Sequence, residues 1–304
     1  MFCGIIRAME DSYTSVRPVA GRLFALDLRP ARPLTFLGPL WATLCGAIAA
    51  GGLIFQNQWL LKLVLLMLLS DALLGAWRAL WLHADWRTAL PHNLENARLW
   101  LMPSAYAPST WTQRLARAIS QRIRFARIVI WPLIDSEIIG MIIAGIMAIC
   151  IAIVLGVVPT ILTALALVIA LIEGQLGPER GVELRAVYEM ALPWFIAQSV
   201  FGYFSWLSLV FVFLFTLVYR ALLAIASTRK TRWMIVANMA QLIVVLILMF
   251  ANAPAGAGIV ALGLLAQVLW QTRYHVDRDG RAYAQRVQSY LLVEMLIAGL
   301  ALWL

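Results

Sequence analysis

Long runs of apolar residues, separated by short polar connections, occupy the chain from residue 34 to its end. Most of these runs approach the roughly 20 residues that a helix needs to cross a hydrocarbon core of about 30 Å. A helix satisfies its own backbone hydrogen bonds in lipid, whereas an open strand does not. The pattern therefore predicts an all-α, polytopic membrane protein with nine transmembrane helices. The predicted helices lie near residues 34–52, 59–81, 128–158, 159–174, 188–204, 205–226, 233–251, 256–270 and 287–304.

Composition supports the prediction of a membrane protein, and it divides the chain into an N-terminal segment and one membrane domain. The residues are 63% hydrophobic and the mean hydropathy is +0.85, well above the apolar share of about 45–50% in soluble domains. Residues 1–33 lack the apolar core and cleavage site of a signal peptide and are predicted to remain as a cytoplasmic segment. Residues 34–304 form one membrane domain, with a long polar cytoplasmic loop at 84–127.

Positive charge lies almost entirely on one side of this nine-helix topology. Of 24 Lys and Arg residues, all but Lys62 fall at helix ends or in connections on that side. Positive charge is retained in the cytoplasm during insertion, which predicts a cytoplasmic N-terminus and a periplasmic C-terminus in the inner membrane of a bacterium. The pI near 10.0 then describes the inner face of a membrane protein, and it does not indicate a nucleic-acid partner.

Two segments resemble a known family. The stretch 29–47, RPARPLTFLGPLWATLCGA, and the stretch 188–195, YEMALPWF, are similar to segments of the chlorophyll and bacteriochlorophyll synthases. These enzymes form a branch of the UbiA superfamily of intramembrane prenyltransferases. The resemblance implies a UbiA-like fold of nine spans, with a large cytoplasmic loop after the second span. It also implies transfer of an isoprenoid from a prenyl diphosphate to a chlorophyllide- or quinone-type acceptor.

The first aspartate-rich motif of that family is degenerate in this chain. The family places three aspartates at the inner end of span two, where they hold Mg²⁺ ions that bind the diphosphate. Residues 70–78 read SDALLGAWR, so Asp71 remains while Leu74 and Arg78 occupy the other two positions. With helical spacing, positions 71, 74 and 78 share one face. Hard divalent cations need several oxygen ligands, and this face offers one carboxylate.

The second aspartate-rich motif, expected after span six, is also degenerate. Residues 224–232 read AIASTRKTR, which places three basic residues where the family has carboxylates. We therefore predict no magnesium cluster, no other metal site and no catalytic residues. Cys3, Cys45 and Cys150 also lack the spacing of a disulfide framework or a metal site.

Several polar residues near the spans remain as candidates for a vestigial ligand cavity. Asp71 lies near mid-membrane and either binds a ligand or bonds with Asn238 or Gln241. Glu294 either faces a ligand or pairs two helices. The arginines either bind an oxyanion, which guanidinium does bidentately, or extend to the headgroups. His83 is the best placed histidine to ligate a bacteriochlorophyll magnesium. The cavity candidates are Asp71, Arg78, Arg220, Arg229 and Glu294.

The leading expectation is a catalytically silent, synthase-like membrane protein. It would bind bacteriochlorophyll, a quinone or an isoprenoid lipid, as a subunit or assembly factor of a photosynthetic or respiratory complex. Other membrane subunits would be its partners besides membrane lipids. The aromatic residues of span six, Phe211 and Phe215 among them, would form either a lipid-facing wall or a docking face for pigment or partner helices. The alternative is an active prenyltransferase that uses arginines in place of magnesium. A transporter is disfavoured because no pair of broken helices appears in matching halves.

Overall fold

The computed structural model describes residues 38–51, 58–83, 131–202, 204–228, 230–273 and 276–303. Every regular element in these ranges is helical, which confirms the predicted all-α class for this part of the chain. Two of the helices contain a π-helical turn, at Leu68–Leu73 and at Val187–Ala191. The helices are α1 (Pro39–Ala49), α2 (59–83), α3 (Trp131–Leu155), α4 (Val157–Arg180), α5 (182–201), α6 (Trp206–Thr228), α7 (Arg232–Phe250), α8 (Pro254–Gln271) and α9 (Val276–Trp303).

Length and composition identify the protein as a membrane protein. Among the described residues, five helices are long and apolar enough to cross a bilayer. They are Trp59–Trp81, Val157–Leu176, Trp206–Thr228, Arg232–Phe250 and Pro254–Gln271. The apolar helices Pro39–Ala49 and Ile139–Leu155 are shorter.

Two glycines end helices in conformations that other residues rarely adopt. Gly156 has φ +136° and separates α3 from α4, so the boundary between these helices falls before the predicted one at residues 158 and 159. Gly202 has φ +82° and ends α5 in the left-handed conformation that favours glycine at a helix C-terminus. The sequence prediction placed both breaks slightly later in the chain, the second one between residues 204 and 205.

Helices α1 and α5 contribute to both hydrophobic cores. One core joins them to α6, α7, α8 and α9, and the other joins them to α2, α3 and α4. Helix α1 comes very close to α5, because a Cβ at Gly46 would lie 2.7 Å from the carbonyl oxygen of Trp194. Small residues allow this kind of close packing between membrane helices.

The aromatic residues of α6 do not form a single docking face. Phe211 and Phe215 are fully buried and stack with a centroid separation of 6.1 Å. Phe215 also packs against Trp194, 6.0 Å away, so both phenylalanines belong to the core rather than to the lipid-facing surface. Trp206 and Phe213 are exposed on the opposite side of the helix. Phe211 and Phe215 therefore belong neither to a lipid-facing wall nor to a docking face, and association with a partner stays a prediction.

The chain divides into two compact units. One comprises Ala25–Arg78 and Ala144–Leu304, and it contains all the clusters considered below. The other comprises Met1–Phe24 and Ala79–Ile143. The predicted N-terminal segment 1–33 and the predicted cytoplasmic loop 84–127 lie outside the described residues.

Candidate functional site

The degenerate aspartate motif lies on a helix that is not α-helical throughout. Asp71 falls inside the π-helical turn Leu68–Leu73, and regular α-helix resumes at Leu74. A π-turn bonds residue i to residue i+5, so it shifts the angular register of the residues around it. The turn therefore changes the angle of Asp71 relative to Leu74 and Arg78, whereas Leu74 and Arg78 keep their α-helical spacing. Leu74 is buried, and Asp71 is half-buried.

Arg78 binds two carboxylates from other helices. Its Nε and Nη2 donate to the two oxygens of Glu173 on α4, at 2.7 and 2.6 Å. Its Nη1 donates to Oε1 of Glu189 on α5. All three side chains are largely buried. Bidentate contact between guanidinium and carboxylate is among the stronger pairings in proteins. Arg78 thus neither extends to the headgroups nor holds its donors ready for a ligand.

Glu189 has two further partners. Arg185, one turn earlier on α5, donates from Nε to its Oε1 at 3.1 Å, and the Tyr219 hydroxyl on α6 donates to its Oε2. We call Arg78, Glu173, Arg185, Glu189 and Tyr219 the charge cluster. Its two guanidinium groups and two carboxylates cancel in formal charge. A buried ion pair is tolerated where such hydrogen bonds satisfy the remaining donors and acceptors.

Tyr188 connects the two π-helical turns. It lies in the turn Val187–Ala191 and donates its hydroxyl to the carbonyl of Leu74, at 2.7 Å, directly after the turn Leu68–Leu73. The Arg78 guanidinium lies over its ring at 5.6 Å from the centroid. Tyr188 is itself fully buried. The ring and the hydroxyl therefore hold α2 and α5 in register where Arg78 meets its carboxylates.

Arg220 is paired as well. Its Nη2 donates to Oε1 of Glu183 near the start of α5, and its guanidinium lies 4.9 Å from the ring centroid of Trp233 on α7. Arg220 is partly exposed and Glu183 is mostly exposed. This pair lies at the same end of α5 as the charge cluster, but it is solvated rather than buried.

Two predicted site residues have side chains outside the described part of the structure, and the predicted partners of Asp71 bond elsewhere. His83 is the last residue of the helix Leu74–His83, but its side chain lies outside what the structure describes, and so does Arg229. Asn238 and Gln241, named as partners for Asp71 on sequence grounds, bond instead with side chains of α8 and α9. The structure therefore pairs Arg78 and Arg220 with carboxylates. Asp71 lies in the π-helical turn of α2, whereas Glu294 lies on α9 and bonds with Gln241.

Glu294 belongs to a second buried polar group. Nε2 of Gln241 lies 3.0 and 3.1 Å from the two Glu294 oxygens, and Gln241 and Gln267 exchange reciprocal amide hydrogen bonds. Asn238 continues the network to Gln271. We call this group the amide cluster; its members are Asn238, Gln241, Gln267, Gln271, Tyr283 and Glu294. Of the two alternatives for Glu294, the structure shows the pairing of two helices, since α9 is joined here to α7.

The described side chains offer little to a metal. Over the described ranges, no group of three or more His, Cys, Asp or Glu side chains comes close enough to hold an ion. Glu173 and Glu189 are the two carboxylates that meet, and both bind Arg78. Chemically, the charge cluster can hold helices together, but its charges are already compensated. Anion binding there would require one of the ion pairs to open.

Sequence reasoning missed Glu173, Arg185, Glu189 and Tyr219 as site residues. The sequence did indicate a partner for the two glutamates. A carboxylate within an apolar segment needs a partner, and Arg78 is a cation within another apolar segment. Choosing that partner required knowing that α2 lies beside α4 and α5. Tyr219 gave no comparable signal, because a tyrosine near a helix end is common in membrane proteins.

Comparison with known proteins identifies no relative. No family model, no curated protein and no solved structure matches the chain.

Proposed function

We propose that this protein is a catalytically silent, UbiA-synthase-like membrane protein. It has kept a helical scaffold suited to an isoprenoid or a pigment and has replaced the diphosphate site with internal ion pairs. One observation carries this proposal: Arg78, at the position of a motif aspartate, is bound by Glu173 and Glu189. A magnesium–diphosphate site needs several carboxylates with oxygens available to the ions. Here both carboxylates bind arginine.

The charge cluster also weighs against the alternative, an active enzyme with arginines in place of magnesium. Such a site would need guanidinium groups whose donors face the substrate, because the developing charge is stabilised by donors already in place. The donors of Arg78 are directed at two carboxylates, and Arg220 is bound to Glu183. Substrate binding at these arginines would first have to break those contacts.

The proposed role is that of a subunit or assembly factor in a photosynthetic or respiratory membrane complex. The ligand classes proposed are bacteriochlorophyll, quinone and isoprenoid lipid, and the motive is the resemblance in residues 29–47 and 188–195. Gentle extraction followed by an absorption spectrum, with mass spectrometry of co-purified lipids and proteins, identifies ligand and partner together. Recovery of a bare chain from several detergents would oppose this role.

We further propose nine spans, with the N-terminus in the cytoplasm and the C-terminus in the periplasm of a bacterial inner membrane. The contacts support an alternating topology. Arg78 near the end of α2 meets Glu173 near the end of α4 and Glu189 early in α5. Arg220 near the end of α6 meets Glu183 at the start of α5. The basic residues near the ends of α2 and α6 therefore lie on the same side of the membrane as the start of α5.

Reporter fusions test this topology. An alkaline phosphatase fusion at Asn252, in the turn before α8, is expected to be active, because that turn carries no basic residue. A fusion at Leu304 is expected to be active too, and one at Lys230 inactive. A fluorescent protein that folds only in the cytoplasm should give the inverse pattern. Phosphatase activity at Lys230 would reverse the proposed orientation.

The silent role is tested by turnover. Purified protein is incubated with geranylgeranyl diphosphate and chlorophyllide, in Mg²⁺ or in a chelator, and no prenylated product is expected in either case. Mg²⁺ alone is expected to leave the melting temperature unchanged, because an ion that binds only the folded state would raise it.

The two conditions separate the outcomes. Turnover in Mg²⁺ that stops in chelator would establish a metal-dependent enzyme. Turnover that persists in chelator would establish the arginine-based alternative. Either result would overturn the silent role, and the variant Arg78→Gln would then show whether the charge cluster takes part.

A further inference from the structure

Two arginines meet at one tryptophan where α8 ends and α9 begins. The Arg286 guanidinium carbon lies 3.9 Å from the centroid of the Trp270 ring, and that of Arg273 lies 5.6 Å from it. Both arginines are exposed, while Trp270 is half-buried. Stacking of guanidinium on tryptophan is favourable, and here one ring attracts two cations. Two positive charges therefore lie beside the same ring.

Among the side chains that the structure describes, no acid pairs with either arginine. Neither guanidinium forms an ion pair or a hydrogen bond there, unlike Arg78, Arg185 and Arg220. The sequence from 221 to 288 holds seven basic residues and only Asp277 and Asp279 as acids. Two positive charges beside one ring repel each other, and the repulsion is stronger near a protein surface than in bulk water. An anion that contacts both guanidinium groups would offset that repulsion.

The surface beside these arginines is apolar and continuous along α8. Leu262, Leu265 and Leu269 follow one another at helical spacing and are all more than half exposed. In a membrane protein such a stripe contacts acyl chains, and a tryptophan at its end lies at the level of the headgroups. The stripe ends beside Trp270. An anion that binds here would therefore carry hydrocarbon chains.

We propose that Arg273 and Arg286 bind the phosphate of an anionic phospholipid, with its acyl chains along Leu262, Leu265 and Leu269. Guanidinium donates in parallel to two phosphate oxygens, so two arginines can hold one phosphate group from two sides. Trp270 keeps both guanidinium groups at the edge of the apolar stripe. This site is separate from the charge cluster and does not depend on the proposed function.

Native mass spectrometry of the full chain measures the binding, with phosphatidylglycerol as the anionic probe and phosphatidylcholine as the zwitterionic one. The unchanged protein is expected to prefer phosphatidylglycerol. The double variant Arg273→Gln/Arg286→Gln is expected to bind it about 30-fold more weakly, which is about fivefold for each arginine. Because both side chains are exposed, the melting temperature in detergent should stay unchanged and confirm that the variant folds.

A matched double variant separates a discrete site from general attraction. Lys230→Gln/Arg281→Gln removes the same charge from exposed positions that lack a contact with Trp270. Its affinity for phosphatidylglycerol should stay within about threefold, because Lys230 and Arg281 lie outside the proposed phosphate site and exposed charges are screened by salt. Equal losses in the two double variants would overturn the site. Equal binding of both lipids by the unchanged protein would also overturn it.

Inorganic phosphate tests the source of the anion. At millimolar concentration it should displace little phosphatidylglycerol, since it lacks the chains that contact the leucine stripe. Complete displacement would assign the arginines to a soluble phosphate instead and would overturn the lipid proposal.

Discussion

Replacing Glu189 with glutamine is expected to destabilise the protein by about 3–5 kcal/mol, the usual cost of removing one partner from a buried ion pair. Glutamine keeps the size of the side chain and a hydrogen-bond acceptor for Tyr219, so the loss is one of charge. Arg78 and Arg185 would then face Glu173 as the remaining carboxylate of the charge cluster. The melting temperature of the purified protein in mild detergent should fall by roughly 10 °C.

Two comparisons establish that the loss is electrostatic. Glu183→Gln breaks the solvated pair with Arg220 and should cost no more than about 1 kcal/mol, because Glu183 is mostly exposed. The double variant Arg185→Gln/Glu189→Gln restores neutrality and should recover part of the lost stability, which a double-mutant cycle measures. A melting temperature for Glu189→Gln equal to that of Glu183→Gln would contradict the buried cluster.

Replacing Gly46 with alanine is expected to disrupt the packing of α1 on α5. The added Cβ would lie 2.7 Å from the carbonyl oxygen and 2.9 Å from the Cα of Trp194. Both are backbone atoms, so rotation of a side chain cannot relieve the clash and the helices must move apart. Overpacking of this kind typically costs about 1–3 kcal/mol, and a helix shared by two cores is expected at the upper end. Size-exclusion profile and melting temperature measure the effect.

Gly75→Ala is the matched control. Gly75 also lies inside a helix, but a Cβ there would meet no atom within 4 Å. Alanine favours helix by about 1 kcal/mol over glycine, so this variant should be neutral or slightly stabilised. Ala197, whose Cβ is 3.2 Å from the same position, gives a second comparison. Full rescue of Gly46→Ala by Ala197→Gly would show that the obstacle is a side chain, contrary to the backbone clash.

Hydropathy predicted where the helices lie because membrane helices must be apolar along their length. It did not predict which face of each helix is buried. In α6 both faces are apolar, so Phe213 and Phe215 look alike in the sequence although one is exposed and the other buried. Among apolar side chains, burial is decided by packing against neighbouring helices. Trp194 of α5, which Phe215 contacts, is such a neighbour.

The polar sites were harder to predict for two reasons. Periodicity assumed α-helical spacing, and a π-helical turn at Leu68–Leu73 leaves no mark in the pattern of apolar residues. Partners were the second difficulty, because Arg78 and Glu173 are 95 residues apart. Glu294 was predicted more successfully, since a deep carboxylate generally finds a polar partner on another helix. Which amide it meets, Gln241, depended again on helix order.

The two π-helical turns determine how this chain can change in length. Each turn holds one residue more than the α-helix that would replace it. Deleting a residue within Leu68–Leu73 would let the backbone close into regular α-helix at little local cost. Because the residue removed is the extra one, the later residues of α2 would keep about the same orientation relative to the preceding part. Arg78 would then stay directed at Glu173, and the Leu74 carbonyl at Tyr188. Deleting a residue from the regular α-helix before Arg78, such as Gly75, would instead rotate the later residues by about 100° and turn Arg78 away from Glu173. The turn Leu68–Leu73 is therefore the place in α2 that tolerates the loss of one residue.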